Sequence, residues 1–127
     1  TMVNLYSTNK RDKGKWEAPA EYKKMKNPVT VSKENLGEAK ILYEKHCKSC
    51  HGKKGEGDGP KAAELETPCG DFTTTEFQGQ TDGELFYKVK EGREDMPGFK
   101  KKLADDDEIW SVVNFMRTFG SEESKKK

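Results

Sequence analysis

The chain contains three cysteines and two histidines, and four of these five side chains fall between His46 and His51. The segment Cys47-Lys48-Ser49-Cys50-His51 sets two thiols three residues apart, with an imidazole directly behind the second. On a helical turn, residues three apart point the same way, so both thiols can add to the two vinyl groups on one edge of a porphyrin. The histidine then lies beneath the ring and can offer a nitrogen to the iron. This is the attachment pattern of a c-type haem. Three other chemistries use some of the same residues. A zinc site could recruit Cys47, Cys50, His51 and Cys69, but zinc usually draws ligand pairs from two separated knuckles and only one pair exists here. A thioredoxin-like redox pair needs a βαβ setting, which the sequence does not show. A plain disulfide between Cys47 and Cys50 leaves His51 without a role.

An iron bound by one histidine has a sixth position, and its occupant separates electron transfer from ligand chemistry. No histidine follows His51, so the downstream candidates are Met96 and Met116. Met116 belongs to an apolar helical stripe, where packing accounts for it. Met96 stands in Glu94-Asp95-Met96-Pro97-Gly98-Phe99, a Pro/Gly turn in which nothing about core packing asks for a methionine. A rigid turn can aim a thioether at a metal, so Met96 is the expected axial ligand. A soft thioether favours ferrous iron and raises the potential.

The elements that would position these residues are all helical. Ser32 is a plausible N-cap with Glu34 in the first turn, and Leu36, Ala39, Tyr43 and His46/Cys47 follow at spacings of three and four. A glycine-rich loop runs from Gly52 to Pro60, where the proline suits the start of a short helix. Thr81-Asp82-Gly83-Glu84 is a capping box; it opens a helix with Leu85, Phe86 and Val89 inward and Gly92 as its stop. Asp105 and Glu108 open the last helix, with Ile109, Val112, Val113, Met116 and Phe119 as its stripe. There is no strand alternation and no internal repeat. The expected organisation is an irregular N-terminal arm over residues 1–30, a domain over 31–120 and a charged tail over 121–127.

Composition supports a core that needs filling. The chain has 127 residues, 31% hydrophobic and 37% charged, against about a quarter charged in ordinary domains. A bound apolar disc would supply the missing core. No apolar run approaches the ~20 residues of a membrane-spanning helix, so no integral membrane segment is expected. A net charge of +1 argues against bulk nucleic-acid binding. It conceals a stretch from Glu56 to Asp95 with four basic and eleven acidic side chains, flanked by basic segments, so acidic and basic faces can coexist. No signal peptide opens the sequence, which reads as a mature or truncated product.

In the order of these parts the chain resembles the class I cytochrome c family over about residues 33–120. The carrying motifs are the helix into Cys47-Lys48-Ser49-Cys50-His51, the Gly-Asp-Gly-Pro loop, the Thr-Asp-Gly-Glu-Leu-Phe helix, the Met-Pro-Gly-Phe turn and the last amphipathic helix. The resemblance implies an all-α class I cytochrome c fold wrapped around one haem c, thioethers from Cys47 and Cys50, and iron ligands His51 and Met96. It implies that the first and last helices cross, with Ala39 and Tyr43 near Phe115. It also implies a proline carbonyl accepting the Nδ1–H of His51, for which Pro60 is the first choice and Pro68 the second. The arm has no counterpart in the minimal family pattern; Trp16 is a candidate for packing on the ring or its propionates.

The expected function is single-electron transfer between respiratory redox partners. Lys48, Lys53, Lys54 and Lys100–Lys102 flank the attachment site and the methionine turn, so the partners are expected to carry acidic docking patches. Covalent haem attachment implies a periplasmic or otherwise extracytoplasmic bacterial location. Cys69, left over once the haem takes two thiols, is either a small buried thiol or the link of a dimer. The rival readings are a haem subunit of a larger membrane respiratory complex, and a haem enzyme or sensor should Met96 not ligate.

Overall fold

Four polar residues start the helices as side-chain chemistry requires. In the computed structural model, which describes residues 16–103 and 105–120, six α-helices follow one another. They are α1 (Ala20–Lys23), α2 (Lys33–His46), α3 (Lys48–His51), α4 (Thr75–Gln78), α5 (Asp82–Glu91) and α6 (Asp106–Arg117), with a 3₁₀ turn at Ala62–Glu64 between α3 and α4. Ser32 Oγ accepts the Asn35 N–H at 2.9 Å, Thr74 Oγ1 that of Phe77 at 3.1 Å and Asp105 Oδ1 that of Glu108 at 3.1 Å. At α5 the box closes both ways: Thr81 Oγ1 accepts from the Glu84 N–H at 3.1 Å, and Glu84 Oε1 accepts from the Thr81 N–H at 2.7 Å. Each such cap satisfies donors that a helix start leaves orphaned. The described residues form no strand; one isolated antiparallel bridge pairs Arg93 with Met96. The fold is the all-α arrangement expected from the sequence.

The first long helix and the last one cross, and the crossing is tight. Ala39 and Val113 are fully buried, Tyr43 nearly so. The Tyr43 ring lies 5.2 Å from Phe115 and 5.3 Å from Phe119, in tilted geometry that suits aromatic quadrupoles. The α5 stripe of Leu85, Phe86 and Val89 and the α6 stripe of Ile109, Val112, Val113 and Met116 are buried in one core. Trp110, outside the periodic stripe, is buried as well, stacked on Phe86 at 4.0 Å.

Residues 16–31 are drawn onto this frame. Tyr22 stacks near Phe86 and Tyr87, and its carbonyl lies where a Cβ on Gly83 would sit, so only glycine lets the arm touch α5 there. Asn27 donates to Asn114 Oδ1 at 2.8 Å; Asn114 in turn donates to Val29 O at 3.1 Å and Asn35 Oδ1 at 2.9 Å. Asn35 donates to Ser111 Oγ at 2.8 Å. Buried amides satisfied this fully define one register for the arm and for the α2–α6 crossing. Residues 1–15 of the arm and the tail at 121–127 lie outside the described residues.

Candidate cofactor site

The attachment segment is held by its own loop. Cys47 caps α2, and its carbonyl accepts from the Cys50 and His51 N–H groups, starting the short helical turn of α3. The glycine loop then folds back: the N–H groups of Lys61, Gly59 and Gly57 donate to the carbonyls of Ser49, Cys50 and His51 at 2.8, 3.0 and 2.8 Å. Those are the carbonyls a helix end leaves without partners. A Cβ on Gly59 would overlap the Ser49 carbonyl, which is why the loop needs glycine at that point. Tyr43 donates its hydroxyl to Gly52 O at 2.6 Å, and burial raises the phenol's pKa, so it remains a donor.

The methionine turn is built just as closely. Gly92 ends α5 with φ 74°, and the Arg93 and Met96 N–H groups exchange bonds with each other's carbonyls at 2.9 Å. Phe99 N–H returns to Val89 O at 3.0 Å. At the tip, Asp95 Oδ2 accepts from the backbone N–H groups of Glu66 and Thr67 at 2.8 and 3.0 Å. One carboxylate thereby ties the Met96 turn to the segment running into Pro68 and Cys69.

Together these parts surround a cavity of about 390 Å³, within the ~300–1,000 Å³ usual for cofactor-sized ligands. Cys47, Cys50 and His51 line it; so do Met96 and Pro97 from the turn and Leu85 and Val89 from α5. Pro68 and Cys69 complete another part of the wall, with Phe72 stacked on His51 at 4.6 Å. The structure therefore brings both attachment thiols, the imidazole and the Met96 thioether around one space. Met116 also reaches the wall, from within the α6 core. Burial pushes the His51 imidazole down to about 4, offset in part by the Cys69 backbone, so the ring is neutral at physiological pH and its nitrogen lone pair is available. Burial likewise pushes the Cys47 thiol up to about 12, with Cys50 adding to the effect.

These residues fit a haem by their donor set: two thiols, a neutral imidazole and a thioether line one largely apolar space. His51 Nδ1 is buried and makes no hydrogen bond of full geometry, and the backbone that acts on the ring is that of Cys69. Pro60, the first choice for its acceptor, is exposed and lies outside the wall, whereas Pro68 and Cys69 are part of it. The zinc alternative finds no support: among the described residues no three His, Cys, Asp or Glu side chains group as a metal site. No disulfide joins Cys47 to Cys50. Sequence reasoning missed Asp95, whose bond partners stand about thirty residues away along the chain, and the cationic pair Lys88 and Arg93, which lines the wall beside Trp16.

Comparisons with known proteins agree with this geometry. Residues 34–116 match the family described as cytochrome C oxidase, cbb3-type, subunit III. Among solved structures, one similar chain comes from the Kuenenia stuttgartiensis reducing HAO-like protein complex Kustc0457/Kustc0458, with 30% identity and a TM-score of 0.66. The match covers 74% of this chain and 47% of that one, so this chain spans about half the length of that relative. Another is the KustC0563 c-type cytochrome, with 30% identity and a TM-score of 0.58 over 65% of this chain and 98% of that one. No curated protein matches the chain. With the cavity, the helical frame and the matched residues in agreement, the chain belongs to the class I cytochrome c family and is a haem-bearing electron-transfer protein.

Proposed function

We propose that this protein carries single electrons through one haem c, bonded to Cys47 and Cys50 and ligated by His51 and Met96. The observation that carries the reading is the cavity wall, where these four side chains meet. The haem supplies a one-electron couple when bound. The chain's own part is to present a neutral imidazole from α3 and a thioether from a braced turn, and to surround them with apolar side chains that keep water away. Met96 is favoured over Met116 because it is half-buried at the edge of the core on a braced turn, whereas Met116 is 5% exposed and belongs to the continuous core. The acceptor for His51 Nδ1 is assigned to the Pro68–Cys69 backbone rather than to Pro60, since only the former lines the wall.

Electrons enter and leave at the edge near His46, Cys47 and Phe99. Lys102 Nζ stands 5.5 Å from the Phe99 ring, and the His46 imidazole is pulled below its ordinary pKa by burial and then by Lys45 and Lys102. Lys53, Lys54 and Lys101 are exposed, while Lys100 is paired with Glu91 at 3.0 Å. This positive edge suits a partner with an acidic docking patch, and association should slow as salt is raised. Covalent haem attachment fits an extracytoplasmic, periplasmic setting. No helix among the described residues is long and apolar enough to cross a membrane. A dimer through Cys69 is disfavoured, because that residue is half-buried on the cavity wall.

A second reading, a haem subunit within a larger redox assembly, is favoured by the similarity to a chain of a multi-protein complex. Gel filtration of the native material separates it from a free shuttle. For the ligand set, the test is carbon monoxide. The reduced parent and a Met116→Leu variant should refuse it, and Met96→Ala should bind it. Binding by the parent would instead support an open iron and an enzyme or sensor.

A further inference from the structure

We propose that the outward face of α2 is a self-association surface on which a second copy of this chain packs antiparallel, Ile41 of each copy seating against Gly37 of the other. The inference goes beyond the electron-transfer reading and uses none of the cavity residues. Asn35, Ala39 and Tyr43 are buried on the side of α2 that crosses α6. Gly37 and Ile41 stand two residues either side of Ala39, about 200° round the helix, and so occupy the middle of the opposite face. Ile41 is 67% exposed, the most open of the large apolar side chains among the described residues. A Cβ on Gly37 would meet no described atom within 4 Å. Nothing in the fold of one copy therefore asks for glycine at this position, where it is the poorest helix former after proline. A knob one turn from a notch is what the close approach of another helix requires.

The charges around this pair point to a second copy. Helical geometry sets Lys33 and Glu44 on one side of the line from Gly37 to Ile41, and Glu34 and Lys45 on the other. All four are exposed, and none of the ion pairs among the described residues engages them. A two-fold axis midway between Gly37 and Ile41 brings each side against its own counterpart from the opposite end. Lys33 then faces Glu44 of the other copy and Glu34 faces Lys45, so pairs of opposite charge flank both Ile–Gly contacts. A parallel pair would set Ile41 on Ile41 and leave the two glycines facing each other, so the notch selects the antiparallel one. The helix has 14 residues, about 21 Å of length. That is small for a specific interface, and the dimer should be concentration-dependent. The docking-edge cations Lys53, Lys54, Lys101 and Lys102 lie outside α2, so self-association does not consume them.

The test is sedimentation equilibrium of the matured protein over a concentration series, in low salt with a reductant that keeps Cys69 out of disulfides. A reversible monomer–dimer equilibrium is expected. Ile41→Lys should weaken association about tenfold or more, the scale of a central anchor. Gly37→Gln should weaken it as well while holding or raising the thermal midpoint, because the helix gains a better former. Glu34→Lys alone should weaken association, and Glu34→Lys/Lys45→Glu should restore it. These two side chains are about 16 Å apart along one helix, so the rescue reports a contact between copies; in a parallel pair the double swap would add repulsion instead. Circular dichroism confirms that each variant is folded. A parent that stays monomeric at every concentration, or a dimer indifferent to Ile41→Lys and Gly37→Gln, would overturn the proposal. A double swap that fails to restore association would overturn the antiparallel register. A monomeric parent whose Ile41→Lys variant alone drops out of a native multi-protein fraction would give the face to a different partner and overturn self-pairing.

Discussion

The α2–α6 crossing and the cavity wall are built from the same helices, yet only the first is complete in itself. At the crossing every buried amide of Asn27, Asn35 and Asn114 that holds the arm finds a partner, and Tyr43 packs against two rings while its hydroxyl is bonded. The wall presents mostly apolar side chains to a space of about 390 Å³. The difference teaches that the chain encodes a frame and a receptacle. The frame satisfies its own polar groups, but the core it shares with the receptacle is complete only when the receptacle is filled.

The largest effect should come from denying the wall its group. Without the group the apolar wall faces water and loses its burial, at roughly 25 cal/mol per Å², and a domain's total stability is only ~5–15 kcal/mol. A Cys47→Ala/Cys50→Ala double variant is therefore expected to lose cooperative unfolding and much of its helical circular dichroism. A cooperative, native-like melt without haem would break the contrast between frame and receptacle.

Damage to the frame should be smaller and should act on the whole molecule. Asn114→Ala strips partners from Asn27 and Asn35 and should cost about 2–3 kcal/mol. In denaturant, the helical signal and the Met–iron band should move together. Tyr43→Phe keeps the ring contacts and deletes one buried bond to Gly52 O, for about 1–1.5 kcal/mol. Asp95→Ala should have the least effect on global stability, under about 1 kcal/mol, because its bonds are exposed. It should nonetheless lose the Met–iron band at a lower denaturant concentration than the helical signal, since it frees the Met96 turn from the Thr67 segment. Coincident loss of both signals in this variant would mean the turn is not separately braced.

Much of the frame was legible in the sequence because its signals are local. The caps at Ser32, Thr81 and Asp105, the stop at Gly92 and the periodic stripes of α5 and α6 depend on neighbours within one or two turns. The thiol pair and its histidine were legible for the same reason. What escaped was set by the path of the loops. The sequence reading ranks Pro60 above Pro68, and only the folding back of Gly57–Lys61 onto α3 leaves Pro60 outside the wall. Asp95 reads as a surface acid until the Thr67 segment arrives beside it. The short helices α1 and α4, four residues each, carry too little periodicity to stand out. Trp110 lies beside its helix's main stripe, so spacing alone did not mark it as core.

The most direct test is the intact mass of the matured protein after denaturation, measured beside Cys47→Ala/Cys50→Ala. One haem per chain that survives unfolding in the parent and disappears in the double variant is the predicted result. A parent whose mass equals that of the bare polypeptide, or whose haem washes away on denaturation, would contradict it.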